Sequence, residues 1–523
     1  MGSGFGGSVS ALRLAQKGYR VAVIECGRRF EDEDHAERMT QLRRFLWMPR
    51  LGMKGILRLT PFKDMFILSG SGVGGGSLVY AQTLYRATSK FEGDWRKVSG
   101  DAADLDEYYT EAERMLGVVQ YPHRTVGDDV MSEVAKDMGA GESTPTPVGV
   151  FFGKPGVTVE DPYFDGAGPA RTGCIECGQC MLGCRENAKN TLPKNYLWLA
   201  ERLGVDIIPE RTVASIKPLD GTDGSAGYRV VSERTGAWWS KDERSLTAQG
   251  VVVAAGALGT NRLLAQCKHD ASLPRISDRL GHLVRTNSES IPAVTFPDDR
   301  NWSHRVAITG SIHPDPDSHV EATTYGPGGD LFSLMYTLLT PDGTRLTRPL
   351  KLLGQIVRNP RKFIAVSNPR GWSRRTLMLP LMQTVDDSIQ FVAKKGLTGR
   401  IRVKTKTDPN NPIVSFLPRA NEVAERVAEK TGGIAQSTTA EVLGMPITAH
   451  LLGGAVIGVD ASRGVVDMQH RVFGYQNLLV CDGSVVPANL GVNPALTITA
   501  LAERAMAAIP VADMLAQDKE GVN

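Results

Sequence analysis

The chain opens on glycines: Gly2-Ser3-Gly4-Phe5-Gly6-Gly7 leads straight into a helical segment, then into the apolar run Tyr19–Ile24, closed by Glu25. Few patterns restrict a fold as tightly. Glycines at these positions permit a tight turn and let backbone approach a diphosphate, and the N–H groups of the following helix face the phosphates. Gly2, Gly4, Phe5 and Gly7 are therefore expected at a dinucleotide, with Glu25 accepting its ribose hydroxyls from the end of the second strand. One part is absent. Only Met1 precedes Gly2, so the parallel sheet is expected to lack its central strand, which points to a start assigned too far downstream.

A second cluster, Gly70-Ser71-Gly72-Val73-Gly74-Gly75-Gly76-Ser77, is denser in glycine than a turn requires, and apolar Met65–Leu68 and Leu78–Tyr80 flank it. Such a loop lets backbone pass against a flat ring or a diphosphate, with Gly72, Gly75 and Ser77 as contacts. Val251–Ala255 reads as a buried strand running through Ala255 into a glycine turn and a helix. Arg211–Lys217 reads as a strand offering the Val213 backbone to an adenine, and Leu478–Val480 as a strand leading to Asp482 and Gly483. The expected fold is α/β. A Rossmann-like cofactor unit takes residues 1–284 and 446–523, with a cysteine-rich insert at about 172–190, and a mixed α+β substrate unit takes about 285–445.

Late in the chain stand His450, in Ala449-His450-Leu451-Leu452-Gly453-Gly454, and Asn493, in Gly491-Val492-Asn493-Pro494. A positioned imidazole titrating near neutral pH, with an amide beside it, suits removal of a proton from a hydroxyl.

Together these motifs resemble the glucose–methanol–choline flavin oxidoreductases. The match extends from Asn493 through Thr497, Ala500, Glu503 and Arg504. Thr286-Asn287-Ser288-Glu289-Ser290 and Thr448–Gly454 are similar to the bacterial cholesterol-oxidase branch, which binds FAD non-covalently. The resemblance implies oxidation of a sterol 3β-hydroxyl to the ketone, with O2 reduced to H2O2. His450 would take or relay the proton, and Asn493 would orient the hydroxyl and contact the flavin. It also implies Δ5→Δ4 isomerisation by a carboxylate over the steroid ring, for which Glu321 is the candidate.

Cys174-x2-Cys177-x2-Cys180-x3-Cys184 is the strongest purely local signal. The spacing matches ferredoxin ligands, although Arg185 stands where proline follows there and no second set exists. An iron–sulfur cluster, a structural Zn2+ and metal-free packing thiols all remain open. A cluster would make the enzyme a dehydrogenase of another bulky alcohol, passing electrons to a carrier. A third alternative is a non-catalytic lipid-binding pseudo-flavoprotein.

Two stretches carry basic and apolar residues with no acid. Residues 39–63 include Arg43, Arg50, Leu46, Trp47, Leu51, Ile56, Leu57 and Phe62, and residues 343–385 hold nine basic side chains beside Leu352, Leu353, Ile356 and Phe363. Either suits peripheral contact with an anionic bilayer. A net charge of +3 gives no footprint for nucleic acid. No signal peptide or spanning run is visible, and seven cysteines, four crowded together, fit a reduced, cytoplasmic setting.

Overall fold

The computed structural model describes residues 1–99, 105–299, 305–396 and 401–512; the expected cofactor-unit tail 513–523 lies outside them. The opening glycines lead into the helix Phe5–Gln16. Apolar strands form two parallel pairs, Ala22–Ile24 with Asp206–Ile208 and Val251–Val253 with Leu478–Val480. Met1 and Gly2 run between the pairs: the Gly2 N–H donates to the Ile24 carbonyl and the Ala254 N–H to the Met1 carbonyl, both at 2.8 Å. The expected central strand is represented by these two residues.

The two ends of the chain meet on this sheet. The first helix packs on the helix Ala495–Ala507. Buried Glu503 accepts Arg13 Nε at 2.7 Å and the Tyr196 hydroxyl at 2.6 Å. Arg211–Pro218 forms a three-stranded antiparallel sheet with Tyr228–Arg234 and Arg244–Ala248, and Val213 lies at its bulge.

The substrate unit is built on an eight-stranded sheet. Its strand Ser318–Thr323 is buried along its whole length between Ile308–Asp315, Thr376–Met378 and Leu381–Gln383. Some contacts cross the expected bounds of the unit. Helix Val126–Asp137 shares an apolar core with this sheet, and Thr144–Pro145 pairs with its edge. Conversely, Ile389–Lys395 pairs with His282–Arg285, and Ile389 and Phe391 share a core with Met65, Ile67 and Leu258. Buried apolar side chains, not chain order, draw the division.

In residues 39–63, Trp47, Ile56 and Leu57 are buried while Leu42, Met48 and Leu51 are exposed, so only part of this stretch faces solvent. No helix among the described residues is long and apolar enough to cross a membrane.

The cysteine insert is anchored by a buried cation. Lys189 Nζ donates to the Leu78 carbonyl at 3.0 Å and the Cys180 carbonyl at 2.8 Å, and lies 4.7 Å from the Tyr80 ring centre. It thereby ties the insert to the end of the second glycine loop. Lys189→Met leaves both carbonyls without this donor and should cost about 2–4 kcal/mol. The expected readout is a lowered apparent Tm with secondary structure retained by circular dichroism.

Candidate active site

The two glycine loops touch. A Cβ on Gly75, whose φ is +53°, would stand 2.7 Å from Gly4 Cα. Ser3 stitches them: its hydroxyl donates to Glu25 at 2.8 Å and accepts the Gly74 N–H at 3.0 Å. Glu25 also accepts the Ser3 and Gly27 N–H groups at 3.0 and 2.8 Å. Ser77 Oγ donates to the Gly74 carbonyl at 2.7 Å and accepts the Leu192 N–H at 3.0 Å. Glu25 and Ser77 therefore brace the loops.

Between the loops and the substrate sheet lies a cavity of about 350 Å³. Gly4, Phe5, Ala255, Asp482 and Gly483 line one side. The other side is apolar, with Ile291, Ile308, Phe332, Met335 and Met378. Glu321, His450 and Asn493 line it too, whereas Gly2, Gly7, Glu25, Gly72, Gly75, Ser77 and Val213 stand outside its lining. Asp482 is held by the Ser484 N–H at 2.8 Å and the Thr260 hydroxyl at 2.5 Å, which sets the turn at Gly483.

Chemistry concentrates where three distant segments converge. Asn493 Nδ2 donates to Glu321 Oε2 at 3.4 Å. His450 Nδ1 stands 3.5 Å from Glu289 Oε2, a charge contact too long and poorly aligned for a hydrogen bond. The same Glu289 oxygen accepts the Ala449 N–H at 2.9 Å. The His450 N–H donates to Thr448 Oγ1, whose hydroxyl donates to the Thr286 carbonyl, both at 2.9 Å. Three buried polar atoms in this cluster, Glu321 Oε1, His450 Nδ1 and Asn493 Oδ1, have no hydrogen-bond partner among the described residues. Buried polar groups are rarely left so outside functional sites. Burial raises the Glu321 carboxyl to about 8, Asn493 opposing and Glu289 reinforcing the shift. It is mostly protonated at neutral pH.

Glu289, Asn287 and Thr448 are the residues that sequence reasoning passed over, although all three sit in the runs quoted for the family resemblance. Asn287 accepts the Leu490 and Gly491 N–H groups at 3.0 and 2.9 Å and donates to the Val492 carbonyl at 2.9 Å. It fixes the loop that presents Asn493. Its left-handed backbone (φ +59°) is a conformation asparagine tolerates better than most residues.

The four insert cysteines surround a void of only about 20 Å³. Burial pushes Cys174 up to about 12 and raises Cys177 and Cys180 as well. Among the described residues no three His, Cys, Asp or Glu side chains are arranged to hold a metal ion. The metal assignment to Cys174, Cys177, Cys180 and Cys184 therefore has no support in the geometry of the described residues. Cys174, Cys180 and Cys184 pack against Tyr121, Val148 and Val306.

The glycine cradle fits a dinucleotide. Nothing lies within 4 Å of the place a Gly4 Cβ would take, and the first helix opens onto the cavity there with no side-chain cap. Residues 17–148 and 381–502 match the N- and C-terminal family models described as GMC oxidoreductase. The chain is 49% identical over 525 aligned positions to a cholesterol oxidase of Mycobacterium tuberculosis, covering 98% of this chain and 90% of that one. It is 43% identical to a cholesterol oxidase of Acinetobacter baumannii, covering 98% and 93%. Pyridoxine 4-oxidase from Mesorbium loti shares the fold, with a TM-score of 0.61, 15% identity and 97% of each chain covered. This chain belongs to the GMC oxidoreductase family. It is an FAD-dependent alcohol oxidoreductase, and the non-catalytic alternative is set aside.

Two outcomes follow. Gly75→Val forces a branched side chain at positive φ into Gly4, and the purified protein should lose most of its FAD, read as the flavin-to-protein absorbance ratio. His450→Ala should keep its FAD and slow flavin reduction by the alcohol at least ~100-fold in anaerobic stopped flow. Reduction at near wild-type speed would show that the histidine does not handle the proton.

Proposed function

We propose that this protein oxidises the 3β-hydroxyl of cholesterol or a related sterol to the ketone, with O2 as acceptor giving H2O2, and then moves the Δ5 double bond to Δ4. The observation that carries the reading is the convergence of three unpartnered polar atoms, on Glu321, His450 and Asn493, beside the apolar wall of one cavity. The names of the two cholesterol-oxidase relatives support it.

Gly4, Phe5, Ala255 and Gly483 would hold FAD non-covalently, and when bound it would supply an acceptor for the carbinol hydride. The protein's part is to place the alcohol and handle protons. His450 holds the hydroxyl and takes its proton while Glu289 and Thr448 fix the segment that carries the ring. Asn493 orients the same oxygen, and the apolar wall excludes water from the ring system. For isomerisation Glu321 takes a proton from C4 of the Δ5-3-ketone and returns it at C6, so atoms balance with no further reactant.

Anaerobic mixing with cholesterol should bleach the bound flavin within turnover time, and short-chain alcohols should not; cholesterol leaving the flavin oxidised would refute the sterol reading. Acid precipitation should release all flavin to the supernatant. Glu321→Gln should still oxidise the sterol yet release the Δ5-3-ketone, with isomerisation down at least ~100-fold. Glu321 must be ionised to act as a base. Its raised pKa means that the isomerisation rate should climb as pH rises through about 8, a dependence Glu321→Gln abolishes.

A further inference from the structure

We propose that the helix pair Thr347–Arg358 and Pro360–Ser367 is the surface on which this enzyme sits on an anionic lipid bilayer. The argument starts from a stripe that faces the wrong way. Leu346 (81% exposed), Leu350, Leu353 and Val357 (72%) recur at i, i+4, i+7 and i+11, one line along a helix, and all face solvent. The helix is anchored through its polar side instead. Arg348 is buried and donates to the Ser415 carbonyl at 2.8 Å and the Glu441 carbonyl at 2.6 Å. Ile364, on the second helix, is also exposed.

Charge selects the occupant. Residues 343–385 contain no Asp or Glu. Arg358, Arg361 and Lys362 are exposed and form no ion pair among the described residues. An apolar face bordered by unpaired cations matches the acyl boundary and phosphates of an anionic leaflet. A second copy of this chain would bring the same cations against themselves.

The position is also right. Helix Pro360–Ser367 packs on the strand Tyr336–Leu338 and on the turn Asp330–Met335, from which Phe332, Met335 and Tyr336 line the cavity. Leu334, between two of those residues, is 69% exposed. A bilayer on this face would lie one helix away from the cavity's apolar wall. That consequence, and only that one, rests on the sterol reading.

The test uses the full-length FAD-loaded protein and sterol-free vesicles, of phosphatidylcholine alone or mixed with phosphatidylserine, in a sedimentation assay. Wild type should pellet with the mixed vesicles, and high salt should weaken the binding. Leu353→Glu/Val357→Glu and Arg361→Glu/Lys362→Glu should each weaken it at least ~10-fold. Both variants should oxidise detergent-dispersed substrate as wild type does. Wild type staying in solution with the mixed vesicles, or charge-reversed protein pelleting equally well, overturns the proposal. So does a dimer that Leu353→Glu/Val357→Glu splits while vesicle binding is unchanged, since the face is then a subunit contact. Vesicles free of sterol make the answer independent of the substrate: protein that binds them yet leaves cholesterol untouched refutes the sterol reading alone.

Discussion

The contact between the two glycine loops is the constraint on which everything else rests. Backbone meets backbone at Gly4 and Gly75, with no room for a side chain between them. Ser3 and Glu25 lock this arrangement from behind, spending the carboxylate on Ser3 and Gly27. The cofactor side of the cavity is thus shaped by the protein's own hydrogen bonds, and the open space beside Gly4 is what the locked loops leave over.

The catalytic side is assembled differently, from segments with no sequence proximity. Glu321 comes from the interior of a fully buried strand, His450 from the segment leaving the substrate unit, and Asn493 from the turn before the C-terminal helix. Asn287 joins two of these regions by gripping the backbone at Leu490, Gly491 and Val492. Backbone clamps hold position more tightly than side-chain packing does, because each has a fixed direction as well as a distance. This is why His450 and Asn493 can present unpartnered atoms in a buried setting without the site collapsing around them.

Much of this was legible beforehand wherever the information is local. The glycine motif, the terminal acid of the second strand and the buried strand Val251–Val253 announce themselves through steric need and hydrophobic period. The roles of Glu25 and Ser77 did not follow so simply: both stand outside the cavity lining, and they form hydrogen bonds with Ser3 and Gly74 of the loops. The cysteine spacing does not by itself make a metal site. Spacing sets which sulfurs can approach one another, whereas ligation needs them arranged around a shared void, and these four enclose only about 20 Å³. The basic, acid-free stretches each hold both buried and exposed apolar side chains, because composition is blind to which side of a helix or strand is already covered.

By itself, the sequence determined the α/β class, the dinucleotide cradle and the residue types available for proton transfer, since these depend on steric allowance and chemistry within a few residues. Only the tertiary structure decided that Glu289 stands beside His450, that Glu321 is raised to about 8, and that residues 126–145 belong with the substrate sheet. Each of these depends on distances between residues far apart in the chain and on the desolvation that packing creates. Neither quantity exists until the chain has folded.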